Sequence, residues 1–256
     1  MGISSVSLEG KVAIVTGGKK GIGKAIALAF AGAGADVAVC TRVLNDGVDN
    51  LEAVAEEIRR LGRRSLAIQT DVSVKSEVDN LVQKVMDEFG VIDILVNNAG
   101  IFSVTPWLKL NEDKWDTMID TNLKSCYLCC HAVGKRMVEW KKGNIINMAS
   151  VAAFNSAASA YSVSKAGIVM LTRGLARELG QYNIRVNAIA PGLTNTDMIQ
   201  FLWRGDPERI KQMEAGIPQG RLGETSDITS AALFLASEAS SYVTGHTITI
   251  DGGSMA

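Results

Sequence analysis

Tyr161 and Lys165, four residues apart in Tyr161-Ser162-Val163-Ser164-Lys165, are the side chains whose types and spacing first suggest chemistry. On a helix that spacing puts a phenol and an ammonium on one face, one turn apart. A tyrosine with a reference pKa of about 10 is a poor acid–base catalyst near neutrality, but a neighbouring lysine favours its phenolate and so tunes it. Ser150 follows the strand-like run Gly143 to Ala149 and can hydrogen-bond the same substrate oxygen as the phenol; its plainer reading is a strand cap. With 4 tyrosines in the chain the pair alone is a cheap motif, so it counts only together with its surroundings.

A second candidate lies near the start. Thr16-Gly17-Gly18-Lys19-Lys20-Gly21-Ile22-Gly23 follows a β-branched run and opens a helical pattern, where glycines allow tight turning and free backbone N–H groups meet a pyrophosphate. The spacing differs from G-x-G-x-x-G, and a plain strand–helix turn competes with nucleotide binding. Discrimination between NAD and NADP belongs at the end of the next strand, where a carboxylate would bind the ribose 2′-hydroxyl. Here Cys40, Thr41 and Arg42 stand instead. Arg42 can pair with a 2′-phosphate and Lys20 lies in the glycine loop near the same ribose, which predicts NADPH. That the two are merely surface cations leaves the missing acid unexplained.

The elements that must position these groups alternate along the chain. Strand patterns at Lys11 to Val15, Asp36 to Cys40, Ser65 to Gln69, Ile92 to Val96, Gly143 to Met148, Ile184 to Ile189 and Thr247 to Ile250 predict a seven-stranded parallel sheet. Helices are predicted near Gly21 to Ala33, Gly47 to Leu61, Ser76 to Phe89, Glu112 to Glu139, Ser159 to Gln181 and Ser226 to Ser237. The expected fold is α/β, a single doubly wound domain over residues 1–256. Residues 194–224, with Phe201, Trp203, Gly205-Asp206-Pro207 and Gly216-Ile217-Pro218, break the alternation and carry a short amphipathic helix at best. A long excursion of this kind reads as a substrate lid, or else as a packing or subunit-contact segment.

Composition narrows the function classes. The 256 residues are 47% hydrophobic and 21% charged with a net charge of -1, which suits one globular core and gives no field to hold nucleic acid or an anionic membrane. No run approaches a membrane span, and Met1 to Glu9 lacks the pattern of a secretory signal, so a cytoplasmic address is expected. Cys126, Cys129 and Cys130 share one face of an apolar helix, where cysteine acts as a small hydrophobe, and no metal site is expected. Neither His131 nor His246 sits in a triad-like or metal-ligand constellation.

Taken in order, these residues resemble the short-chain dehydrogenase/reductase family, in its compact branch, from Leu8 to Gly253. Thr16 to Gly23 matches its T-G-x-x-x-G-x-G loop, Asp71-Val72 its adenine-contacting pair, and Asn97-Asn98-Ala99-Gly100 its N-N-A-G turn. Asn122 and Ser150 fall where the family has its catalytic asparagine and serine, and Tyr161 with Lys165 reproduces Y-x-x-x-K. Pro191-Gly192-Leu193-Thr194-Asn195-Thr196 resembles the stretch that contacts the nicotinamide carboxamide. The resemblance implies a Rossmann-type fold, hydride transfer between a nicotinamide and a substrate carbon, and a water relay that Asn122 helps to hold. It also implies homotetramers in which the helix around Glu112 to Glu139 packs between subunits. One departure is that Ser150 and Tyr161 stand two residues closer than is usual in the family, so the loop between them is trimmed and the substrate wall reshaped.

The expected activity is interconversion of a ketone or 3-oxo group and a secondary alcohol with NADP(H), acting on a small-molecule substrate, acyl thioesters included. For an acidic carrier protein only Lys141-Lys142 offers a basic patch, and Tyr182, not a cation, follows the catalytic helix. Two alternatives differ in class. A catalytically silent NADPH-binding sensor or scaffold would be expected to lose Tyr161 or Lys165, and an epimerase or dehydratase of the longer branch needs a substrate domain that this chain lacks.

Overall fold

The computed structural model describes residues 6–155, 158–200, 202 and 206–256. Among them, strands β1 (Val12–Thr16), β2 (Asp36–Thr41), β3 (Ser65–Gln69), β4 (Ile94–Asn97), β5 (Gly143–Met148), β6 (Ile184–Pro191) and β7 (Thr247–Ile250) form one parallel sheet. Its order, β3-β2-β1-β4-β5-β6-β7, reverses direction between β1 and β4. Strand residues alternate between two apolar layers as a period of two requires. Val12 and Ile14 of β1 face one layer, and Ala13 and Val15 face the other.

The first layer is closed by α3 (Lys75–Phe89), α5 (Ser125–Trp140) and α6 (Ala160–Leu179), through Val78, Cys129 and Ile168 among others. The second is closed by α1 (Gly21–Gly32), α2 (Leu51–Arg60) and α9 (Thr225–Ala236), through Ile26, Val54 and Ile228. With both faces covered, the strands can be nearly continuous apolar runs. Cys126, Cys129 and Cys130 are free and buried in the first layer, as a helical face of small hydrophobes should be. Burial also pushes the Cys129 thiol well above its ordinary value.

Two helical expectations need correction. The segment expected as one helix from Glu112 to Glu139 is divided into α4 (Glu112–Ile119), a π-helical turn (Asp120–Lys124) and α5. Widened turns of this type occur mostly at functional sites, and this one carries Asn122. The second helix starts at Leu51 and not near Gly47. Gly47 has φ +85°, outside helical geometry, and the Asn50 side chain caps α2 by accepting from Glu52 N.

Residues 194–224 hold more structure than one short helix. They contain α7 (Asp197–Gln200) and α8 (Pro207–Ala215); Asp206 caps α8 by accepting from Glu208 N and Arg209 N at 3.1 and 3.2 Å. Ile217 and Leu222 are buried against Leu193, Ile199, Leu202, Ile210 and Met213 as a small satellite core. Phe201, Trp203 and Gly205, singled out in the sequence, lie outside the described residues. No helix among the described residues is long and apolar enough to cross a membrane.

Candidate active site

In open α/β sheets, ligands sit beyond the strand carboxyl ends where the strand order reverses. Here that point lies between β1 and β4, and the loops leaving the two strands are laced together. The Thr16 hydroxyl accepts from both Asn98 N and Ala99 N at 3.0 Å and donates to Val96 O at 3.3 Å. Asn98 returns its carboxamide to Thr16 O and Gly17 O at 3.0 and 3.1 Å. A Cβ on Gly23 would come within 2.3 Å of Gly17 O and 2.4 Å of Asn98 Nδ2, so only glycine allows the first turn of α1 to lie this close.

The groove above these loops has a volume of about 500 Å³ and is lined by Gly17, Lys19, Lys20, Gly21, Ile22, Thr41, Asn98, Ala99 and Gly100, with Thr196 and Asp197 across from them. The N-terminus of α1 has no side-chain cap and no acidic residue in its first turn. An uncapped, acid-free helix N-terminus beside a loop too tight for side chains is the donor set a pyrophosphate requires. These residues fit a dinucleotide.

The catalytic candidates converge at the inner end of this groove, around a pocket of about 100 Å³ lined by Ser150, Tyr161, Lys165, Pro191, Gly192, Thr194 and Thr196. Helix α6 begins at a Ser159 cap whose hydroxyl accepts from Ser162 N at 3.0 Å. That start places Tyr161 in the first turn and Lys165 one turn deeper. Ser150 accepts from Ala152 N at 3.2 Å, so it does cap the turn that follows β5, and it lines the same pocket as the Tyr161 phenol. Ser150 and Tyr161 thus line one pocket despite the trimmed loop between them.

Burial raises the Tyr161 phenol above its ordinary value, partly offset by the Ser150 hydroxyl. Lys165 is buried and donates to Met148 O at 2.7 Å, and burial lowers its ammonium to about 8. Near neutrality the phenol is therefore protonated and the lysine still charged, 5.6 Å from the centre of the Tyr161 ring. Phe102 stacks edge-on to that ring at 4.9 Å, a contact the sequence reading missed.

Asn122 is buried in the π-helical turn. Its carboxamide accepts from Ile101 N at 2.8 Å and donates to Ile101 O at 3.0 Å and to Ser164 Oγ at 3.2 Å. It thereby ties the β4 exit to the catalytic helix. Pro191 ends β6, and a Cβ on Gly192 would lie 2.7 Å from that of Asp251, so this turn too admits no side chain.

The adenosine end is less uniform. Thr41 lines the groove, whereas Arg42 is exposed beside it and makes no ion pair or side-chain hydrogen bond among the described residues. Asp71 accepts from Ser73 N and Oγ at 3.0 and 2.6 Å, and Val72 is buried in the core. Although burial pushes the Asp71 carboxyl upward, the Ser73 donors and the charge of Arg42 hold it below its ordinary value. Lys19 and Lys20, expected near the cofactor, are paired with Asp46, Asp49 and Asp197 of this chain, partners that the sequence reading did not foresee.

The chain is similar to known proteins over nearly its whole length. Residues 17–255 match the family model described as enoyl-(acyl carrier protein) reductase. The chain is 42% identical over 251 residues to the (2S)-[(R)-hydroxy(phenyl)methyl]succinyl-CoA dehydrogenase subunit BbsD of Thauera aromatica, covering 97% of this chain and 98% of that protein. It is 41% identical over 245 residues to the 3-oxoacyl-[acyl-carrier-protein] reductase FabG of Staphylococcus epidermidis, covering 95% and 98%. Among solved structures, a short-chain type dehydrogenase/reductase from Mycobacterium marinum superposes with a TM-score of 0.91 at 38% identity, covering 98% of this chain and 97% of that one. The seven-stranded Rossmann-type sheet, the glycine loop opening on its reversal point and these full-length matches agree: the chain belongs to the short-chain dehydrogenase/reductase family, oxidoreductases that work with a nicotinamide cofactor.

Proposed function

We propose that the chain is an NADPH-dependent reductase that interconverts a ketone or 3-oxo group and a secondary alcohol, with Tyr161 as proton donor. The observation that carries this reading is that Ser150, Tyr161 and Lys165 line one pocket. Both hydroxyls can donate to one carbonyl oxygen and draw electron density toward it. Tyr161 then passes its proton to that oxygen, and the Lys165 ammonium stabilises the phenolate left behind. Asn122, bound to both sides of Ile101, keeps the β4 exit in register with Ser164 of the catalytic helix. Residues 17–23, Thr41, Asn98 to Gly100 and Pro191 to Thr196 would hold a dinucleotide, which when bound would supply the hydride.

NADPH is favoured over NADH because β2 ends in Cys40 and Thr41 with no carboxylate of its own, and because the Arg42 guanidinium beside it is uncommitted among the described residues. Beside Tyr161, a second pocket of about 230 Å³, lined by Ile101, Leu110, Met118 and Lys114, suits a small apolar ketone or the acyl part of a thioester. We read residues 194–224 as a substrate lid within a single domain, because Thr194, Thr196, Met198 and Ile199 line the pocket that holds Ser150, Tyr161 and Lys165. We infer a cytoplasmic homotetramer from the family resemblance, with the exposed Tyr127 of α5, stacked on His131 at 5.7 Å, on the packing face.

A reduction panel tests the proposal. With 3-oxoacyl thioesters, cyclic ketones, diketones and sugars, NADPH consumption should appear with at least one carbonyl class and exceed that with NADH. Equal or greater use of NADH would overturn the cofactor assignment. Inertness toward every carbonyl, with NADPH bound, would favour a silent NADPH-binding scaffold.

A further inference from the structure

The loop between β2 and α2 carries carboxylates that occupy the cations of the glycine loop. Asn45 Oδ1 accepts from Gly47 N at 2.8 Å, and Asp46 Oδ1 accepts from Val48 N at 3.2 Å and Asp49 N at 2.8 Å. This turn leaves the other Asp46 oxygen free to reach Lys19 Nζ at 2.5 Å. Lys19 is only 7% exposed, so the pair is largely shielded from water on the lysine side. Lys20 is held at 3.2 Å by Asp49 and at 3.4 Å by Asp197 of α7.

The charge count around the adenosine end changes accordingly. Lys19, Lys20 and Arg42 supply three positive charges, while Asp46, Asp49 and Asp197 supply three negative ones and Asp71, within electrostatic reach of Arg42, a fourth. A ribose 2′-phosphate, with one to two negative charges, must therefore displace carboxylates from Lys19 or Lys20 before it can use them. A 2′-hydroxyl meets no such competition. Like charges left facing each other act against one ligand specifically, which is how a site discriminates by repulsion.

We propose that Asp46 and Asp49 are specificity-determining residues, internal counter-ions that hold the glycine-loop lysines and lower the advantage of NADPH over NADH. The proposal rests on the NADPH reading above. It assigns the β2–α2 loop a second state, in which the turn built on Gly47 (φ +85°) gives up the lysines to a bound phosphate. Val48, at the tip, is 92% exposed, so no core packing opposes that movement.

Equilibrium binding of NADPH and NADH, followed by nicotinamide fluorescence at low salt, tests this in the wild type, Asp46→Asn and Asp49→Asn. Asparagine keeps an oxygen for the Val48 and Asp49 amides, so the loop turn should survive; circular dichroism and melting temperature check that it does. The ratio of NADH to NADPH dissociation constants should rise by about 5-fold or more in either variant, with NADH binding changed by less than about 2-fold. An unchanged ratio in a wild type that prefers NADPH would overturn the counter-ion role and leave the cofactor reading standing. A wild type that prefers NADH while the variants gain NADPH affinity would support the counter-ion role and overturn the cofactor reading. No gain in NADPH affinity together with a wild-type preference for NADH would overturn both.

Discussion

Lys165 donates its ammonium to the carbonyl of Met148 at 2.7 Å, two residues before Ser150 on the same strand exit. One hydrogen bond thus joins Lys165 of α6 to the backbone that carries Ser150. Ser150 at the exit of β5 and Tyr161 and Lys165 on α6 are positioned by those elements and not by the loop between them, which is why a loop two residues short can leave them lining one pocket.

The burial that sets this geometry has a pH signature. Lys165 is lowered to about 8 in the fold by burial, against about 10.4 for an ordinary lysine. Between those values the unfolded chain binds a proton that the folded chain has released, so stability from this group rises with pH there and is lost as pH falls through about 8. Relative to Lys165→Met, the wild type should gain up to about 3 kcal/mol across the window. Unfolding of both proteins at pH values near 7.5 and 9.5 checks it; parallel pH dependence would show the ammonium to be solvated.

Ser150→Ala removes both the hydroxyl that shares a pocket with the Tyr161 phenol and the acceptor for Ala152 N. We expect kcat to fall by about 10- to 100-fold and stability by only about 0.5–1 kcal/mol, the cost of a lost cap. Steady-state kinetics beside denaturant unfolding separate the two. A large stability loss with near-normal kcat would make Ser150 a cap alone.

Gly23→Ala should abolish dinucleotide binding. Its Cβ would meet Gly17 O and Asn98 Nδ2 at 2.3 and 2.4 Å, contacts that only a shift of the two laced loops can relieve. Overpacking of this kind costs about 1–3 kcal/mol. Calorimetric titration with NADPH reads the loss, and retained affinity would mean that the glycine loop does not set the pyrophosphate site.

Arg42→Ala should weaken NADPH by about 10-fold and leave NADH within about 2-fold, since an exposed charge-assisted contact is worth about 1–2 kcal/mol. The difference should shrink as salt rises. Dissociation constants for both cofactors at two ionic strengths decide it; equal weakening of both would place Arg42 away from the ribose.

The sheet and most helices were legible because parallel βαβ units write a strong alternation, and β1 to β7 fall within a few residues of their expected runs. Tyr161, Lys165 and Ser150 were legible because a helix start and a strand end place them. What stayed hidden depended on distant partners. The π-helical turn at Asn122 arises where its carboxamide bonds Ile101, 21 residues away, and helical periodicity alone cannot show such a widening. Asp49 fell inside the helix expected from Gly47 and Asp46 carried no sequence signal, because their meaning lies in Lys19 and Lys20 on a neighbouring loop.

The central claim is proton delivery by Tyr161 to a substrate oxygen as a hydride reaches the adjacent carbon. Reduction of a responsive ketone or 3-oxoacyl thioester with C4-deuterated NADPH tests it directly, with the product read by mass spectrometry for wild type and Tyr161→Phe. Wild type should give the secondary alcohol with deuterium on the carbinol carbon. Tyr161→Phe should form that alcohol at least about 100-fold more slowly while binding NADPH with unchanged affinity. Deuterated alcohol formed by Tyr161→Phe at a near-normal rate would contradict the account.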